Sequence, residues 1–310
     1  MTVRGRSGIL LSMKVQFGES IMEYPSDVFG ELTDSSALLG DRNALRDRFN
    51  HDGYLYLPGI IDPHKVTAAR RRILEYMAEH ETLVPDAPVI DGVMPKGGKT
   101  VNLMGPNPVT RDPEVLRALE SEELFEFFGS FYGEEPMTFD YKWLRAVGNE
   151  KFTGSHFDVV YMGRGSTNVN TVWIPLGEIP VEHGTLAVCE GSHRSERFAR
   201  VRETYGRMDV DRDNVQGWFS DNPEEILEKF GGRWLTANFK PGDILTFGLF
   251  TLHASTTNTT NRFRLSCDVR FQPKSEPADD RWIGANPKGH YAWGKTPSIT
   301  MEDARARWGV

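Results

Sequence analysis

Two residues in the segment GSHFDVVYM, residues 154–162, could bind a metal ion together. His156 and Asp158 lie two positions apart, and side chains at that spacing on an extended strand point to the same side. A second histidine would complete the two-histidine, one-carboxylate face that binds Fe(II) and leaves positions open for reactants. Alone the pair is a weak signal, because it equally fits a surface histidine followed by a turn aspartate.

His253 has the best surroundings for the second imidazole. It ends the run PGDILTFGLFTLHAS, in which the first three residues predict a turn and the apolar residues after them predict a strand. A core histidine with a satisfied hydrogen bond is the competing interpretation of this residue. The residues on the C-terminal side of His253 therefore decide between the two interpretations.

An arginine and a serine come after His253 at a useful spacing. Arg264 lies eleven positions later, across the turn TTNTTN, and Ser266 lies two positions further on, so a strand would place both on one face. A guanidinium can bind a carboxylate through two parallel hydrogen bonds, and the hydroxyl can add another. These residues predict a receptor for the distal carboxylate of a 2-oxo diacid, against the alternative of a surface arginine on an edge strand.

The elements that must position these side chains change character along the chain. Residues 41–80 predict a helix, a strand and a second helix in turn, and residues 81–111, rich in Pro and Gly, predict a long loop. Residues 113–129 predict one further helix. From Met137 onwards, short β-rich runs recur between turns, which indicates a mainly β fold, a sandwich or barrel with flanking helices.

The predicted organisation is one domain with additions at its ends. We expect residues 1–35 to be a loosely attached leader, because the apolar patch ILLSM is too short for a signal-peptide core or a membrane span. Residues 36–273 are expected to form the domain, interrupted by a charged, partly helical insertion at 196–237. Residues 274–310 form a Trp-containing C-terminal extension without a recognisable motif.

Composition limits the classes of partner and compartment. The formal net charge of −8 argues against general affinity for nucleic acid or for an anionic membrane. Cys189 and Cys267, the two cysteines of the chain, both fall in strand-like segments, which argues against a disulfide framework and favours a reducing cytoplasm. Nothing in the sequence predicts the oligomeric state.

The chain resembles the phytanoyl-CoA dioxygenase-like Fe(II)/2-oxoglutarate oxygenases over roughly residues 41–273. The resemblance rests on the order and spacing of five segments: FNHDGYLYLPGIID, HFD, VWIPLGEIPVEHGTLAVCEGSHR, KPGDILTFGLFTLHAS and NRFRLS. It implies a double-stranded β-helix with a jelly-roll or cupin-like core and flanking helices. It also implies Fe(II)- and O₂-dependent hydroxylation of a C–H bond in a small molecule, with 2-oxoglutarate converted to succinate and CO₂.

The resemblance also implies a role for individual residues. The implied iron ligands are His156, Asp158 and His253, and the implied 2-oxoglutarate contacts are Arg264, Ser266, Lys142, Thr171 and Trp173. The chain departs from the family where relatives have Asn-Gly and Pro-Gly-Ser-His, since it has His183-Gly184 and Cys189-Glu190-Gly191-Ser192-His193. No implied ligand is lost. A carboxylate at Asp158 also argues against a halogenase, in which a small residue leaves room for halide.

Substrate specificity is expected to come from residues outside this shared set. The candidates are Lys96, Lys99, Tyr161 and Arg164, whose three cations would suit an anionic substrate, although each could equally be exposed for solubility. Two other functions stay open on the sequence. One is a cupin-type metal enzyme that does not use 2-oxoglutarate, and the other is a non-catalytic barrel that binds a small molecule.

Overall fold

The computed structural model describes residues 12–97, 101–104, 107–295 and 298–310. Within these residues the strands are β1 Met13–Phe17, β2 Ser20–Tyr24, β3 Phe29–Glu31, β4 Tyr54–Leu57, β5 Pro136–Thr138, β6 Trp143–Val147, β7 Asn170–Pro175, β8 Leu186–Cys189, β9 Trp234–Thr236, β10 Ile244–Gly248, β11 His253–Ser255 and β12 Arg264–Pro273. The helices are α1 Arg42–Asp52, α2 Pro63–Glu79, α3 Pro113–Leu119, α4 Glu122–Tyr132, α5 Val159–Met162, α6 Ala199–Glu203, α7 Val210–Asp213, α8 Pro223–Phe230 and α9 Met301–Trp308.

Two sheets form the core of the fold. The larger sheet has the order β4-β10-β7-β12-β5, with β6 also paired to β12, and the smaller sheet has the order β11-β8-β9-β3. Trp173 and Leu245 of the larger sheet share a buried apolar cluster with Val188 and Leu235 of the smaller sheet, so the sheets pack on each other. Their hydrogen bonding does not close into a barrel within the described residues. This mainly β core with flanking helices confirms the predicted fold class.

Strand β12 is buried on both faces, and apolar and polar residues alternate along it. Its apolar residues, Leu265 to Phe271 at every second position, belong to a cluster that includes residues of α2 and α4. The ring of Phe271 stacks on Phe128 with a centroid distance of 4.5 Å. The intervening residues are polar or charged and, because successive side chains point to opposite faces, they face away from those helices. Register thus fixes which residues of β12 reach the interior between the sheets.

Several helices, among them α1, α2 and α3, begin after an aspartate whose side chain caps the first turn. The Asp62 side chain, just before α2, accepts a hydrogen bond from the backbone N–H of His64, and Pro63 is the first residue of the helix. The single helix predicted over 113–129 is instead α3 and α4, because the chain leaves helical geometry at Glu120 and Ser121. Glu120, at this break, binds the Lys142 ammonium through its carboxylate at 2.7 Å.

Two predicted boundaries differ from the structure. The described part of residues 1–35 is not loosely attached: β1 and β2 form a hairpin, and β3 pairs in parallel with β9. The side chain of Phe17 is buried, and its ring lies 5.1 Å from that of Trp234. The predicted insertion likewise ends in β9, a strand of the smaller sheet. Both segments contain strands of three to five residues, too short for a clear alternating pattern.

The two cysteines are free and buried. Among the described residues, no helix has the length and apolar character needed to cross a membrane.

Candidate metal and cosubstrate site

Three side chains converge in the interior between the sheets. The Nε2 atoms of His156 and His253 each lie 3.7 Å from Oδ1 of Asp158, and the ligand atoms of all three residues lie within 4.8 Å of one another. All three residues are at most 5% exposed. The three side chains that the sequence singled out therefore lie together, at a spacing that could hold one metal ion.

Backbone pairing brings the two histidines together. The N–H of His156 donates to the carbonyl of His253 at 2.9 Å, and the N–H of His253 donates in return at 3.1 Å. Asp158 does not lie on the strand that the sequence predicted, because the chain turns after Phe157 and Asp158 precedes the short helix α5. The carboxylate reaches the imidazoles from this turn and not through period-two alternation.

The hydrogen bonds of the imidazoles fix their tautomers. Nδ1 of His156 lies 2.8 Å from the carbonyl oxygen of Gly154, and Nδ1 of His253 lies 3.0 Å from that of Thr251. Because a carbonyl can only accept, each Nδ1 must carry the proton and donate it. Each Nε2, 3.7 Å from Oδ1 of Asp158, is then left with a free lone pair, as a metal ligand requires.

The electrostatic environment favours the protonation states that bind a cation. Burial, with a contribution from His253, lowers the pKa of His156 to about 3, and burial also lowers the pKa of His253. For Asp158, burial alone would raise the pKa, but the Arg270 guanidinium and the two imidazoles outweigh it and lower the pKa. Two neutral imidazoles and one carboxylate at neutral pH fit a divalent ion such as Fe(II).

The second oxygen of Asp158 has its own partners. Oδ2 accepts a hydrogen bond from the Thr171 hydroxyl and lies 3.1 Å from the Arg270 guanidinium. That guanidinium is buried and also lies over the ring of Trp143, at 4.5 Å from its centroid. Oδ2 is thus occupied by donors, while Oδ1 is left facing the two imidazoles. The arrangement orients Asp158 as a ligand through one oxygen.

Arg264 is a buried cation without a carboxylate partner among the described residues. It is 1% exposed, donates to the Ser266 hydroxyl, and lies 5.9 Å from the ring centroid of Trp173. Its Nε is buried and has no hydrogen-bond partner. Burial and the nearby Arg145 lower its pKa to about 9. An unsatisfied guanidinium of this kind fits an incoming carboxylate, which is the role expected for 2-oxoglutarate.

The remaining predicted residues divide into two groups. Thr171 contacts Asp158, and Trp173 and Ser266 contact Arg264, so all three lie at the site. Lys142 does not reach it, because its ammonium is bound by Glu120 and by the carbonyl of Phe139. Arg164 is likewise committed elsewhere, since Asp209 accepts two of its hydrogen bonds, at 2.5 and 2.8 Å. Each carboxylate lies more than twenty residues away in sequence, where spacing gives no signal.

A cavity of about 510 Å³ opens beside the triad, and His156 and Asp158 form part of its wall. Most of its other lining side chains are aromatic or thioether: Met104, Tyr141, Trp143, Tyr161, Met162, Trp218, Phe219, Trp293 and Met301. The hydroxyl of Tyr161, a residue predicted to contact substrate, is buried and has no hydrogen-bond partner among the described residues. This lining suits a small, largely apolar molecule.

A second cavity of about 980 Å³ adjoins the first. It shares Met104, Arg145, Thr153 and Trp218 with the aromatic cavity. Lys96, predicted as a substrate contact, lies on its wall. Lys99 lies outside the described residues.

Sequence reasoning missed Arg145 and Arg270. Both face the interior. Arg270 on β12 pairs with Thr171 on β7, and Arg145 on β6 pairs with Ser266 on β12. The signal was present in RFRLSCDVRF, where every second residue from Arg264 is polar while the residues between are apolar. The contributions of His290, Trp293 and Met301 from the C-terminal extension carried no such signal.

Comparison with known proteins supports the same class. The chain is 27% identical over 263 residues to 1-deoxypentalenic acid 11-beta-hydroxylase from Streptomyces exfoliatus, covering 81% of this chain and 88% of the relative. Among solved structures it is similar to the epimerase SnoN in complex with Fe3+, alpha ketoglutarate and nogalamycin RO, with 20% identity, 84% and 98% of the two chains covered and a TM-score of 0.54. It is also similar to EctD from S. alaskensis, with 17% identity, 93% of each chain covered and a TM-score of 0.55.

The family match and the donor set define a non-heme iron oxygenase that uses 2-oxoglutarate. Residues 49–266 match the phytanoyl-CoA dioxygenase (PhyH) family, and the chain belongs to that family. The resemblance drawn from the sequence is therefore confirmed. The alternatives of a cupin-type enzyme without 2-oxoglutarate and of a non-catalytic barrel lose support, because the metal cluster and the unpaired Arg264 are both intact.

Proposed function

We propose that this protein hydroxylates a C–H bond of a small, largely apolar molecule, using Fe(II), 2-oxoglutarate and O₂. One observation carries the proposal: a triad suited to Fe(II) and a buried, unpaired guanidinium lie in the same interior, beside an aromatic cavity. In this proposal His156, Asp158 and His253 hold the metal. Arg264, supported by Ser266 and Trp173, binds the distal carboxylate of 2-oxoglutarate.

Fe(II) bound there would supply the oxidising chemistry, with 2-oxoglutarate converted to succinate and CO₂ as the substrate is hydroxylated. The chain's own residues position the metal ligands and exclude water from the substrate. Thr171 and Arg270 hold Oδ2 of Asp158, so that Oδ1 stays directed at the metal position. The carbonyls of Gly154 and Thr251 hold the imidazoles in the tautomer that a metal needs. The aromatic side chains of the cavity displace water from around the substrate.

An anionic group on the substrate is part of the proposal. The relative from Streptomyces exfoliatus is named for hydroxylation of an acid. In this chain, the larger cavity is lined by Lys96, Arg145 and Lys151, and no carboxylate lies among its described lining residues. Both features favour a molecule with an apolar skeleton and one acidic group. A reducing compartment such as the cytoplasm is also proposed, because both buried cysteines are free.

The test is succinate formation from 2-oxoglutarate by the purified protein, with a panel of alicyclic and aromatic acids as substrates. We expect succinate release to require Fe(II) and O₂ and to be lost in Asp158→Asn. The exposed Asp47→Ala serves as the matched control and should behave as wild type. Succinate release that persists without Fe(II), or its absence from wild type under all conditions, would refute the proposal.

A further inference from the structure

The interior around the triad carries an excess of positive charge. Strands β6 and β12 and the turn at residue 158 bring five charged side chains to it: Arg145, Arg264, Arg270, Asp158 and Asp268. With both imidazoles neutral, three guanidinium groups face two carboxylates, which leaves one positive charge. Fe(II) and the 2-oxoglutarate dianion would cancel each other and leave that excess unchanged. Because an uncompensated charge is costly in a buried site, a further anion is expected.

Two of the three guanidinium groups are committed. Arg270 is bound to Asp158, and Arg264, which is 1% exposed and contacts Ser266 and Trp173, is assigned above to the distal carboxylate of 2-oxoglutarate. Arg145 differs from both. Its Nε donates to Asp268 at 3.0 Å, yet its side chain is 26% exposed, so its other donors remain accessible. The free anion should therefore bind at Arg145.

The position of Arg145 indicates which molecule supplies that anion. It lies on the walls of both cavities, at the neck that it forms with Met104, Thr153 and Trp218. On one side of the neck is the aromatic cavity with the triad, and on the other are Lys96 and Lys151. The described lining of the aromatic cavity contains two carboxylates, Asp158 and Asp221. Asp221 is exposed to solvent. A molecule lying against the triad can thus reach Arg145 with a group at its far end.

We propose that the substrate is a carboxylic acid and that Arg145 binds its carboxylate at the neck between the two cavities, with the apolar skeleton in the aromatic cavity. This inference rests on the proposed function, since it concerns the substrate of the same site. Arg145 is then a specificity-determining residue. It recognises the acid through the guanidinium edge that Asp268 leaves free, and Lys151 adds longer-range attraction from the surface.

The experiment compares two fluorescent probes of nearly identical shape, anthracene-9-carboxylate and anthracene-9-carboxamide. Their binding is measured by fluorescence anisotropy on wild-type protein loaded anaerobically with Fe(II) and 2-oxoglutarate. We expect the carboxylate to bind about tenfold more tightly, or better, because a charge-assisted bidentate contact replaces a neutral one. Equal binding of the two probes, or binding of neither, would overturn the proposal without recourse to any variant.

Variants then show which residue causes the preference for the carboxylate probe. The double variant Arg145→Gln/Asp268→Asn removes the partly exposed guanidinium and its carboxylate partner together, so the net charge of the interior is unchanged and no buried carboxylate is left unpaired. We expect its carboxylate preference to fall to about onefold to twofold. Lys151→Gln, at an exposed position, should reduce the preference about twofold to threefold. The control Arg117→Gln, on exposed α3, should match wild type.

Two results would assign Arg145 differently. A preference retained in the double variant would place the anion elsewhere and overturn the proposal. A large loss of 2-oxoglutarate affinity in the double variant, with probe binding intact, would assign Arg145 to the cosubstrate and also overturn it. Failure of the proposed function is a separate outcome. It appears as a wild-type protein that makes no Fe(II)-dependent succinate, irrespective of how the two probes bind.

Discussion

The two walls of the aromatic cavity are held in place by different means. The inner wall contains His156, Asp158 and Arg270, whose positions result from the strand pairing of His156 with His253 and from buried partners of opposite charge. The outer wall contains His290 and Trp293, from residues 274–295, in which the structure has neither a strand nor a helix. The metal and cosubstrate chemistry belongs to the first wall, and the shape offered to substrate belongs largely to the second.

One buried carboxylate organises the outer wall. Asp211 accepts hydrogen bonds from the backbone N–H groups of residues 291, 292 and 293 at 2.8 to 3.0 Å. It also binds Nδ1 of His290 at 2.9 Å and the Arg281 guanidinium at 2.7 Å. Burial alone would raise the pKa of Asp211, but these hydrogen bonds outweigh it and lower the pKa. The difference between the walls implies that each can be disturbed separately.

The largest effect is expected from the metal cluster, which includes His156 and Asp158 of the inner wall. His253→Ala removes one of two imidazoles from the metal cluster and should abolish both stoichiometric Fe(II) binding and turnover. Iron content per chain and succinate release measure the two losses. The exposed His80→Ala is the control and should retain both activities. A His253→Ala protein that keeps full activity would remove this residue from the metal site.

Loss of the buried guanidinium should affect the cosubstrate. Arg264→Gln is expected to raise the apparent KM for 2-oxoglutarate, at a cost on the order of 2–5 kcal/mol, because the distal carboxylate would be buried without its partner. Fe(II) binding should change far less. Steady-state kinetics and metal titration separate the two effects, with Arg117→Gln as the control. Unchanged 2-oxoglutarate kinetics would show that another residue binds the carboxylate.

A smaller effect on the same wall should come from Arg270. Replacing it with Gln leaves Oδ2 of Asp158 with Thr171 as its remaining partner and removes the charge that stabilises the carboxylate. We expect Fe(II) affinity to fall about tenfold, the lower end for residues that support metal ligands. Co(II) titration monitored by absorbance measures the change. Arg270→Lys should recover part of the metal affinity. An unaltered metal affinity in Arg270→Gln would show that Arg270 contributes only to packing.

The outer wall should respond to Asp211→Asn without disturbing the metal. The variant weakens the acceptor of five hydrogen bonds, so we expect faster proteolysis within residues 285–295 and a several-fold higher KM for substrate, with unchanged affinities for Fe(II) and 2-oxoglutarate. Asp213→Asn is the matched control, since its carboxylate contacts Arg212 and Asp209 and none of the described residues of the C-terminal extension. A loss of Fe(II) affinity in Asp211→Asn would show that the walls are coupled.

The smallest effect concerns pH and helix α9. Burial would raise the pKa of Glu225, but hydrogen bonds from Arg305, Lys229 and Ser220 lower it to about 2. The stabilisation from Glu225 is therefore complete above its ordinary value of 4.5 and is lost as pH falls towards about 2. The difference in urea stability between wild type and Glu225→Gln should shrink over that range. Glu228→Gln, on the exposed face of α8, should show no such change, and a constant difference for Glu225→Gln would contradict the assignment.

Sequence reasoning succeeded where chemistry and spacing were local. The pair His156 and Asp158, with His253 further along the chain, identified three side chains that the structure brings together, although Asp158 reaches the cluster from a turn and not along a strand. The roles of these residues and of Arg264 stay predictions. Sequence reasoning failed for Lys142 and Arg164, because their carboxylate partners are brought to them by tertiary packing. The outer wall was not predictable for the same reason: Asp211 binds residues about eighty positions away.

The most direct test of the account is a crystal structure of the protein grown anaerobically with Fe(II) and 2-oxoglutarate, with anomalous scattering used to locate iron. The account predicts iron bonded to Nε2 of His156, Nε2 of His253 and Oδ1 of Asp158, with the distal carboxylate of 2-oxoglutarate on Arg264. Iron bound away from these three atoms, or the distal carboxylate held by Arg145 while Arg264 stays unpaired, would contradict it.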